Sequence, residues 1–425
     1  MITPSRIAAT STMPFVRLSL AVLMTTASAG AVTIQEIRIS GNSYTARETI
    51  AGFCTFKAGQ ELTEEELTRE IAASQMSLTR TNYFYRVTVS SLPREDVEKA
   101  VIHVRVDEGF LWRFGAGPTY VTVGKENMAG KARSLYVTAG WNWQEVAYGR
   151  RFLFGRPVSL GFDLGHRVEE RREIEGLPGS GWESGTLRAS AEMAYYFSPF
   201  VSAGIAGNFA NVSFKTDRVD KAIAHEIGLL HRQGITEQKY YLHMDRLNDV
   251  FDPTRGTQIG VELRNVNATR NTSRHFDSDL DAVWYAPLGR DIYSRNRFYA
   301  GWRSPETPYY HLIDLRGING IRCDSPRNAV GTTGLFLSTE LQRRLATLTC
   351  GHLDPVIFAD VGRTWEPGEG RRFAGFSYAV GAGLRLVFPA PMYVRVRLEA
   401  GTGSGTPGLF FAVEGYRTQS KRDWP

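Results

Sequence analysis

Long apolar runs are scarce in this chain of 425 residues. The run from Leu18 to Met24 is far shorter than the roughly 20 residues that a transmembrane helix needs, and no other segment reaches that length. This run follows Arg6 and Arg17 and leads into Ala27-Ser28-Ala29, which is the order of charged, apolar and small residues in a secretory signal. The sequence therefore predicts a signal peptide over residues 1–29 and no transmembrane helix.

Cysteine and net charge are also low. The three cysteines, Cys54, Cys323 and Cys350, are an odd number, so at least one has no partner within the chain. A disulfide between Cys323 and Cys350 is one alternative, but we expect the cysteines to be buried free thiols. Without residues 1–29, which hold two arginines and no acids, 48 basic residues face 44 acidic ones and the net charge is +4. The basic residues are scattered along the chain, which argues against nucleic acid as a partner.

Motifs for catalysis are absent as well. No Gly-x-Ser-x-Gly elbow occurs, so a lipase-like nucleophile has no support. His243 and Asp245 form a His-x-Asp pair, but no third ligand follows at metal spacing, and a polar strand face explains them better. The glycines at 401, 403 and 405 precede no predicted helix, so they do not form a phosphate loop. The sequence therefore predicts no enzyme, no cofactor and no metal site.

Residues 30–109 are predicted to form a small α/β domain. Ile34, Ile37 and Ile39 indicate a first strand, and Thr63-Glu64-Glu65-Glu66 has the form of a capping box at the start of a helix. Two segments with period-two alternation follow, at 83–89 and 101–106, and predict half-buried strands. The domain thus combines a short sheet with at least one helix.

Beyond about residue 110 the pattern becomes one of repeated alternating strands. Segments of about ten residues recur, such as 376–388, and that is near the length that a tilted strand needs to cross a bilayer. Short connections such as 253–256 alternate with long polar ones such as 303–332, an asymmetry typical of bacterial outer-membrane barrels. The pattern alone gives 14 to 16 strands, with 216–250 the least certain region. A soluble β-sandwich is the alternative, but it accommodates poorly the Arg and Glu residues that recur on one strand face.

Two carboxylates are predicted to point into the barrel lumen from neighbouring strands. Alternation in residues 334–344 places Glu340 on the polar face, and alternation in the next strand places Asp360 there with Phe358 and Gly362. Ordinary lumen-lining charges and a hydrolytic pair are the alternatives, although no sugar-binding aromatic array accompanies them.

The long loop 303–332 supplies a candidate partner for these carboxylates. It contains Leu315-Arg316-Gly317-Ile318, and the planar guanidinium of Arg316 suits bidentate pairing with both acids if the loop folds inward. Gly317 and Gly320 allow the tight backbone that this needs. Asp314 is a competing local partner, and a solvated loop arginine is the alternative.

Several segments together resemble the BamA/TamA-type superfamily of outer-membrane assembly factors. Residues 83–87 and 106–109 resemble a polypeptide-transport-associated (POTRA) domain. The barrel segments occur in family order; they are Asp252-Pro253-Thr254-Arg255-Gly256, Leu315-Arg316-Gly317-Ile318, Ser338-Thr339-Glu340, Phe358-Ala359-Asp360-Val361-Gly362 and Gly381-Ala382-Gly383-Leu384-Arg385. Ile318 departs from the Phe or Tyr that the family usually has there.

The resemblance implies a mainly β fold, with one POTRA domain over residues 30–109 and a 16-stranded antiparallel transmembrane β-barrel over residues 110–416. It implies that Arg316 clamps the loop to Glu340 and Asp360, and that the barrel closes through a last strand carrying Phe411, Val413 and Tyr416. Residues 417–425 would form a C-terminal tail.

The function implied is that of an outer-membrane insertase or polypeptide translocator. Client strands would be handled by the POTRA domain and by a lateral seam between the first and last strands. Its partners would be unfolded outer-membrane or secreted polypeptides and the lipid bilayer. Accessory partners would be periplasmic proteins or lipoproteins. A two-partner-secretion translocator is one alternative, although the chain leaves no room for a plug helix before the domain. A passive porin is another, although it needs no POTRA domain.

Overall fold

The computed structural model describes residues 31–415 except 93–97, 118, 172–180, 218, 227, 228, 230, 231, 270–273, 324, 325, 327, 370–373 and 390–393. The predicted signal peptide, Tyr416 and the predicted tail 417–425 lie outside the described residues. No helix in the described part of the chain is long and apolar enough to cross a membrane.

The N-terminal domain is a four-stranded sheet covered by two helices. Its elements are β1 (Val32–Ser40), α1 (Arg47–Phe53), β2 (Glu61–Leu62), α2 (Glu64–Arg80), β3 (Phe84–Ser91) and β4 (Lys99–Glu108). The strand order is β2-β1-β4-β3, with β1 and β4 parallel. The predicted capping box starts α2, because the Thr63 side chain accepts from the Glu66 amide and the Glu66 carboxylate accepts from the Thr63 amide. Apolar side chains of both helices and all three longer strands fill the core between them.

The rest of the chain forms a closed antiparallel barrel of 16 strands, which confirms the predicted fold class. The elements from its start to the long loop are β5 (Trp112–Ala116), β6 (Tyr120–Lys125), β7 (Arg133–Gly140), β8 (Trp143–Arg150), β9 (Val158–Arg171), β10 (Trp182–Ser198), β11 (Val201–Lys215), α3 (Lys221–Glu226), β12 (Arg232–Asp245), β13 (Gly256–Ala268), β14 (Arg274–Gly289) and β15 (Ile292–Arg303). The described residues of the uncertain region 216–250 thus form one short helix and one strand.

The remaining elements complete the wall. They are β16 (Ile313–Asp314) and β17 (Val330–Gly331), which pair with each other inside the long loop, then β18 (Thr333–Arg343), β19 (Ala346–Leu348), β20 (Gly351–Trp365), β21 (Ser377–Phe388), β22 (Val394–Gly403) and β23 (Gly408–Gly415). Because β18 and β19 both pair with β20, they count as one strand of the wall. The last strand, β23, lies beside the first, β5.

Side chains alternate between an apolar outside and a polar lumen along these strands. In β18, Leu337 and Leu341 are exposed on the outside, whereas Ser338 and Glu340 are buried. Exposed apolar residues recur around the wall; examples are Val123, Val137, Phe162, Leu187, Ile205, Phe209, Leu242, Leu263, Ile357, Val380 and Leu398. An apolar belt of this extent on a monomer is expected where the wall contacts lipid.

Wall height varies around the barrel. Strands β9 to β15 have 12 to 17 residues each. Strands β5 and β6 have only five and six, and β23 has eight. At about 3.4 Å per residue, five residues extend only about 17 Å, which is shorter than the roughly 30 Å hydrocarbon core. The wall is therefore lowest where the first and last strands meet.

The N-terminal domain packs against one mouth of the barrel. Phe152, in the turn between β8 and β9, stacks edge-on against Phe53 at 4.9 Å between ring centroids. Arg80 at the end of α2 forms a salt bridge with Asp245 at the end of β12, with 2.7 Å between Nη2 and Oδ2. The short connections 199–200 and 246–255 lie at this mouth, and the long loop 304–332 lies at the opposite one, as the alternation of connections predicts.

Candidate functional site

The loop between β15 and β18 folds into the lumen and packs on its wall. Ile313, Leu315, Ile321 and Cys323 of the loop are buried in one apolar cluster with wall residues such as Phe336. Residues 315–321 of the loop form a tight turn, which is closed by a hydrogen bond of 2.7 Å from the Ile321 amide to the Leu315 carbonyl. The loop therefore has the inward fold that the clamp implied by the family resemblance requires.

Glycine makes that turn possible. Gly317 has a φ of +92°, which L side chains rarely adopt. A Cβ on Gly320 would lie 2.1 Å from the Leu315 carbonyl oxygen. Both glycines thus have the conformational role that the sequence analysis assigned to them.

Arg322 is the loop residue that joins the lumen carboxylates. It forms a bidentate pair with Asp360, with 2.8 Å from Nε to Oδ2 and 2.7 Å from Nη2 to Oδ1. Its Nη1 donates to Glu340 at 2.7 Å and to Glu399 at 2.9 Å. Arg322 is 1% exposed and Glu399 0%. In such a dry setting, hydrogen bonds between charged groups are about twice as strong as neutral ones.

The surrounding charges balance. Arg385 donates to both Glu340 and Glu399, with distances of 2.6 to 2.9 Å. Arg397 joins Glu399 to Glu414, and Arg295 lies 3.3 Å from Glu340. The network therefore joins four carboxylates, which are Glu340, Asp360, Glu399 and Glu414, to Arg295, Arg322, Arg385 and Arg397, and Arg395 also lies 3.5 Å from Glu414. Because every one of these carboxylates has an arginine partner, the network avoids the cost of an uncompensated buried charge.

Small residues and one aromatic ring let the loop backbone approach the wall. A Cβ on Gly401 would lie 2.0 Å from the Arg322 carbonyl oxygen, and one on Gly362 would lie 3.2 Å from Leu315 Cδ1. The Arg322 guanidinium carbon lies 3.6 Å from the centroid of the Phe358 ring, so the ring adds a cation–π contact. Phe358 and Gly362 thus shape the socket, one by stacking and the other by leaving space.

The predicted partner of Glu340 and Asp360 was wrong. Arg316 pairs with Asp314, with 2.6 Å between Nη2 and Oδ2 and both side chains about one fifth exposed. Asp314 was the competing partner that the sequence offered. Five residues of tight turn separate the two arginines, and the turn directs Arg316 toward the cavity and Arg322 toward the wall. The parity argument for both carboxylates holds, because Ser338 faces Asp360 across the adjacent strands β18 and β20.

Arg322, Arg385 and Glu399 are the residues around the two predicted carboxylates that were not predicted as site residues. Strand alternation places Arg385 and Glu399 on the polar faces of their strands, so the sequence does contain a signal for them. Arg322 lies between Ile321 and Cys323, so its apolar neighbours suit packing against the lumen wall as well as those of Arg316 do. Ile318, at the atypical position, contributes its carbonyl oxygen to Arg397 at 3.2 Å.

The predicted turn motif lies at the mouth that faces the N-terminal domain. Asp252 accepts from Arg344 at 2.8 Å, and His352 lies 2.9 Å from the same carboxylate oxygen. Burial raises the pKa of Asp252, but the hydrogen bond with His352 and nearby positive charges outweigh it and hold the pKa below its usual value. Gly256 has a φ of +109°. Pro253 lines the lumen cavity, and the Arg255 amide donates to Asn248.

The predicted closure residues lie on β23, the strand that meets β5. Phe411 is exposed on the outside of the wall and Val413 is half-buried. Tyr416 lies beyond the described residues.

Comparisons with known proteins agree with this architecture. Residues 32–109 match the POTRA family model, described as a surface antigen variable number repeat. No curated protein matches the chain. Among solved structures, BamA from Haemophilus ducreyi lacking POTRA domains 1–3 is 14% identical with a TM-score of 0.54, and the match covers 90% of this chain and 84% of that one.

CdiB from Escherichia coli is similar as well. It is 14% identical with a TM-score of 0.58, and the match covers 90% of this chain and 76% of CdiB. CdiB from Acinetobacter baumannii is 12% identical with a TM-score of 0.55, and covers 91% of this chain and 73% of that one.

The chain has the fold of the BamA/TamA-type superfamily. Within that fold, residues 32–109 are the POTRA domain and the 16-stranded wall is the barrel. The Arg322 network lies where the loop between β15 and β18 meets the lumen face of the wall, and it joins the two.

Proposed function

We propose that the protein is an outer-membrane assembly factor that inserts other polypeptides into the bilayer, with its POTRA domain in the periplasm. The observation that carries this proposal is the low wall at the meeting of β5 and β23. Opening of this seam would expose a strand edge, which is a template for pairing, and a client strand in lipid must satisfy its backbone hydrogen bonds by pairing. A short wall also thins the adjacent bilayer, which lowers the barrier to insertion.

The contents of the lumen favour insertion of a client through the barrel wall over transport of a client through the lumen. A cavity of about 860 Å³ occupies the lumen. POTRA residues such as Arg80 and Tyr83 bound it at one end, and the loop residues Leu315 to Gly320 bound it at the other. A polypeptide crossing the lumen would have to displace both. Insertion through the seam leaves the loop and its Arg322 network in place.

The POTRA domain offers an edge to extended clients. Strand β3 is the outer strand of its sheet and has eight residues. The Val89 amide of this strand is already occupied, because it donates to Gln75 Oε1 at 3.0 Å. A client strand would exchange this one side-chain contact for a ladder of backbone hydrogen bonds. Client folding would supply the driving force, so no cofactor or catalytic residue is required.

Depletion of the protein in its own host tests the proposal. Outer-membrane proteins are then quantified, together with secreted proteins, in cells complemented with the wild type or with Arg322→Ala. We expect many barrel proteins to fall together on depletion and to recover only with the wild type. Arg316→Ala is the matched control and should complement.

Export of one dedicated client is the second candidate function, since a translocator shares this fold. The same experiment separates the two. Normal barrel assembly with the loss of a single secreted protein would establish the translocator and refute the insertase.

A further inference from the structure

Three potential metal ligands converge where the inward-folded loop meets β14. His275 and Asp277 lie two residues apart on the lumen face of that strand, and His311 ends the short 3-10 turn Tyr309–His311 of the loop. One ligand atom from each residue lies within 4.8 Å of the other two. The two imidazole rings are 5.1 Å apart between centroids. The cluster lies outside the Arg322 network, which uses none of these residues.

The strand residues of this cluster are buried without hydrogen bonds. His275 is 3% exposed and Asp277 is 1% exposed. Neither ring nitrogen of His275 and neither carboxylate oxygen of Asp277 has a hydrogen-bond partner among the described residues. Arg303 lies beside Asp277, with its Nε 3.6 Å from Oδ2. Buried polar groups normally have partners, so the lack of partners for these side chains, in a cluster of three potential ligands, indicates a missing ligand.

Each of the two neighbouring acids on the same strand face has a carboxylate oxygen that accepts hydrogen bonds. Asp279 accepts from Tyr299 at 2.6 Å and from Arg303 at 2.8 Å. Asp281 accepts from Arg297 at 3.1 Å. Asp277 therefore differs from both, although it occupies the equivalent face of the same strand.

We propose that His275, Asp277 and His311 bind a divalent transition-metal ion of the zinc class. Two imidazole nitrogens and one carboxylate oxygen form a donor set that suits Zn²⁺ and excludes Ca²⁺ and Mg²⁺, which prefer oxygen ligands. A cavity of about 500 Å³ is lined by Asp277 and His311, so an ion can enter and a fourth coordination position is open to water.

Bound metal would fasten the loop to the wall at a second point. Arg322 holds the loop near β18, β20 and β22, whereas the metal would tie the 3-10 turn to β14. The sequence analysis found no such site because 34 residues separate Asp277 from His311, which is not a local metal spacing. Only the inward fold of the loop brings them together.

A second His and carboxylate cluster shows why proximity alone is insufficient. Asp252, His352 and Asp354 also have ligand atoms within 4.8 Å of one another. However, both ring nitrogens of His352 lie within hydrogen-bond distance of a carboxylate, at 2.9 Å for Asp252 and 2.7 Å for Asp354. Arg344 donates to Asp252 at the same place. Hydrogen bonds already satisfy that cluster, so it serves as the internal control.

Zinc content of the full chain tests the proposal. The protein is purified in detergent, stripped with EDTA, incubated with ZnCl₂ and dialysed, and the zinc is measured by mass spectrometry. We expect one zinc ion per chain in the wild type. His275→Gln and His311→Gln should each weaken binding by at least about 10-fold, since loss even of a residue behind a ligand has that effect.

Matched controls keep the result interpretable. His225→Gln, at an exposed histidine of α3, and His352→Gln, in the hydrogen-bonded cluster, should retain the zinc ion. Heat-shifted electrophoretic mobility shows that each variant barrel is folded. In hydrogen exchange of the wild type, zinc should slow the exchange of amides in residues 305–313. A wild type that retains no zinc, or equal retention by His275→Gln and His311→Gln, would overturn the proposal.

Discussion

The inward-folded loop between β15 and β18 carries two arginines, one on each side of its turn. One is partly exposed to solvent and the other is buried. Arg316 is about one quarter exposed and pairs with its near neighbour Asp314. Arg322, six residues later, is buried and joins carboxylates from three different strands. An exposed ion pair contributes roughly 0 to 1 kcal/mol, whereas breaking a buried one costs several times as much. Burial, and not the presence of an arginine, decides which half holds the loop.

The largest effect is expected from Arg322→Ala. The change leaves Glu340, Asp360 and Glu399 buried around a missing cation, so the folded barrel should lose about 3–5 kcal/mol. The urea midpoint of the barrel in lipid vesicles measures this, with heat-shifted mobility as the folding check. A midpoint equal to that of the wild type would show that the network does not hold the loop.

Asp360→Ala should have the next largest effect. It removes the bidentate partner and the acceptor of Ser338, but Arg322 keeps Glu340 and Glu399, so we expect a loss of about 3 kcal/mol. In a double-mutant cycle, Asp360→Ala and Arg322→Ala should couple by about 0.5–3 kcal/mol. The same cycle with Arg316→Ala should be additive. Coupling to Arg316 in place of Arg322 would reverse the comparison.

The period-two alternation of strands explains why so much of the wall was predictable. Which residues face the lumen depends only on local parity, so Glu340 and Asp360 were placed correctly from the sequence. The POTRA helix α2 was also predictable, because its capping box is a local signal at Thr63 and Glu66. These features require no knowledge of distant contacts.

Local alternation could not predict that Arg322, and not Arg316, pairs with the lumen carboxylates. It also could not predict that His311 lies beside Asp277. Both Arg316 and Arg322 have apolar neighbours and both follow the same strand, so the pattern cannot separate them. The choice follows from the turn at Gly317 to Gly320 and from the room that Gly401 leaves on the opposite wall. These are three-dimensional constraints between residues about 80 positions apart. The same holds for Asp277 and His311.

Gly401→Ala tests whether backbone space is part of the clamp. An added Cβ would lie 2.0 Å from the Arg322 carbonyl oxygen, so the loop must shift, and we expect a loss of about 1–3 kcal/mol in barrel stability. Gly207→Ala on β11 is the matched control, because a Cβ there meets no atom within 4 Å. Equal urea midpoints for the two variants would mean that the loop approaches the wall less closely than described.

The smallest effect is expected from Arg316→Ala. Its ion pair with Asp314 is partly solvated and closes over only two residues, so the loss should stay below about 1 kcal/mol and should shrink further as salt rises. Urea midpoints at low and high ionic strength measure both quantities. Arg322→Ala, measured in parallel, should keep its large deficit at high salt because its network is shielded from solvent. If instead Arg316→Ala matched Arg322→Ala in size and salt response, the two halves of the loop would act as one charged unit, and burial would no longer explain which arginine matters.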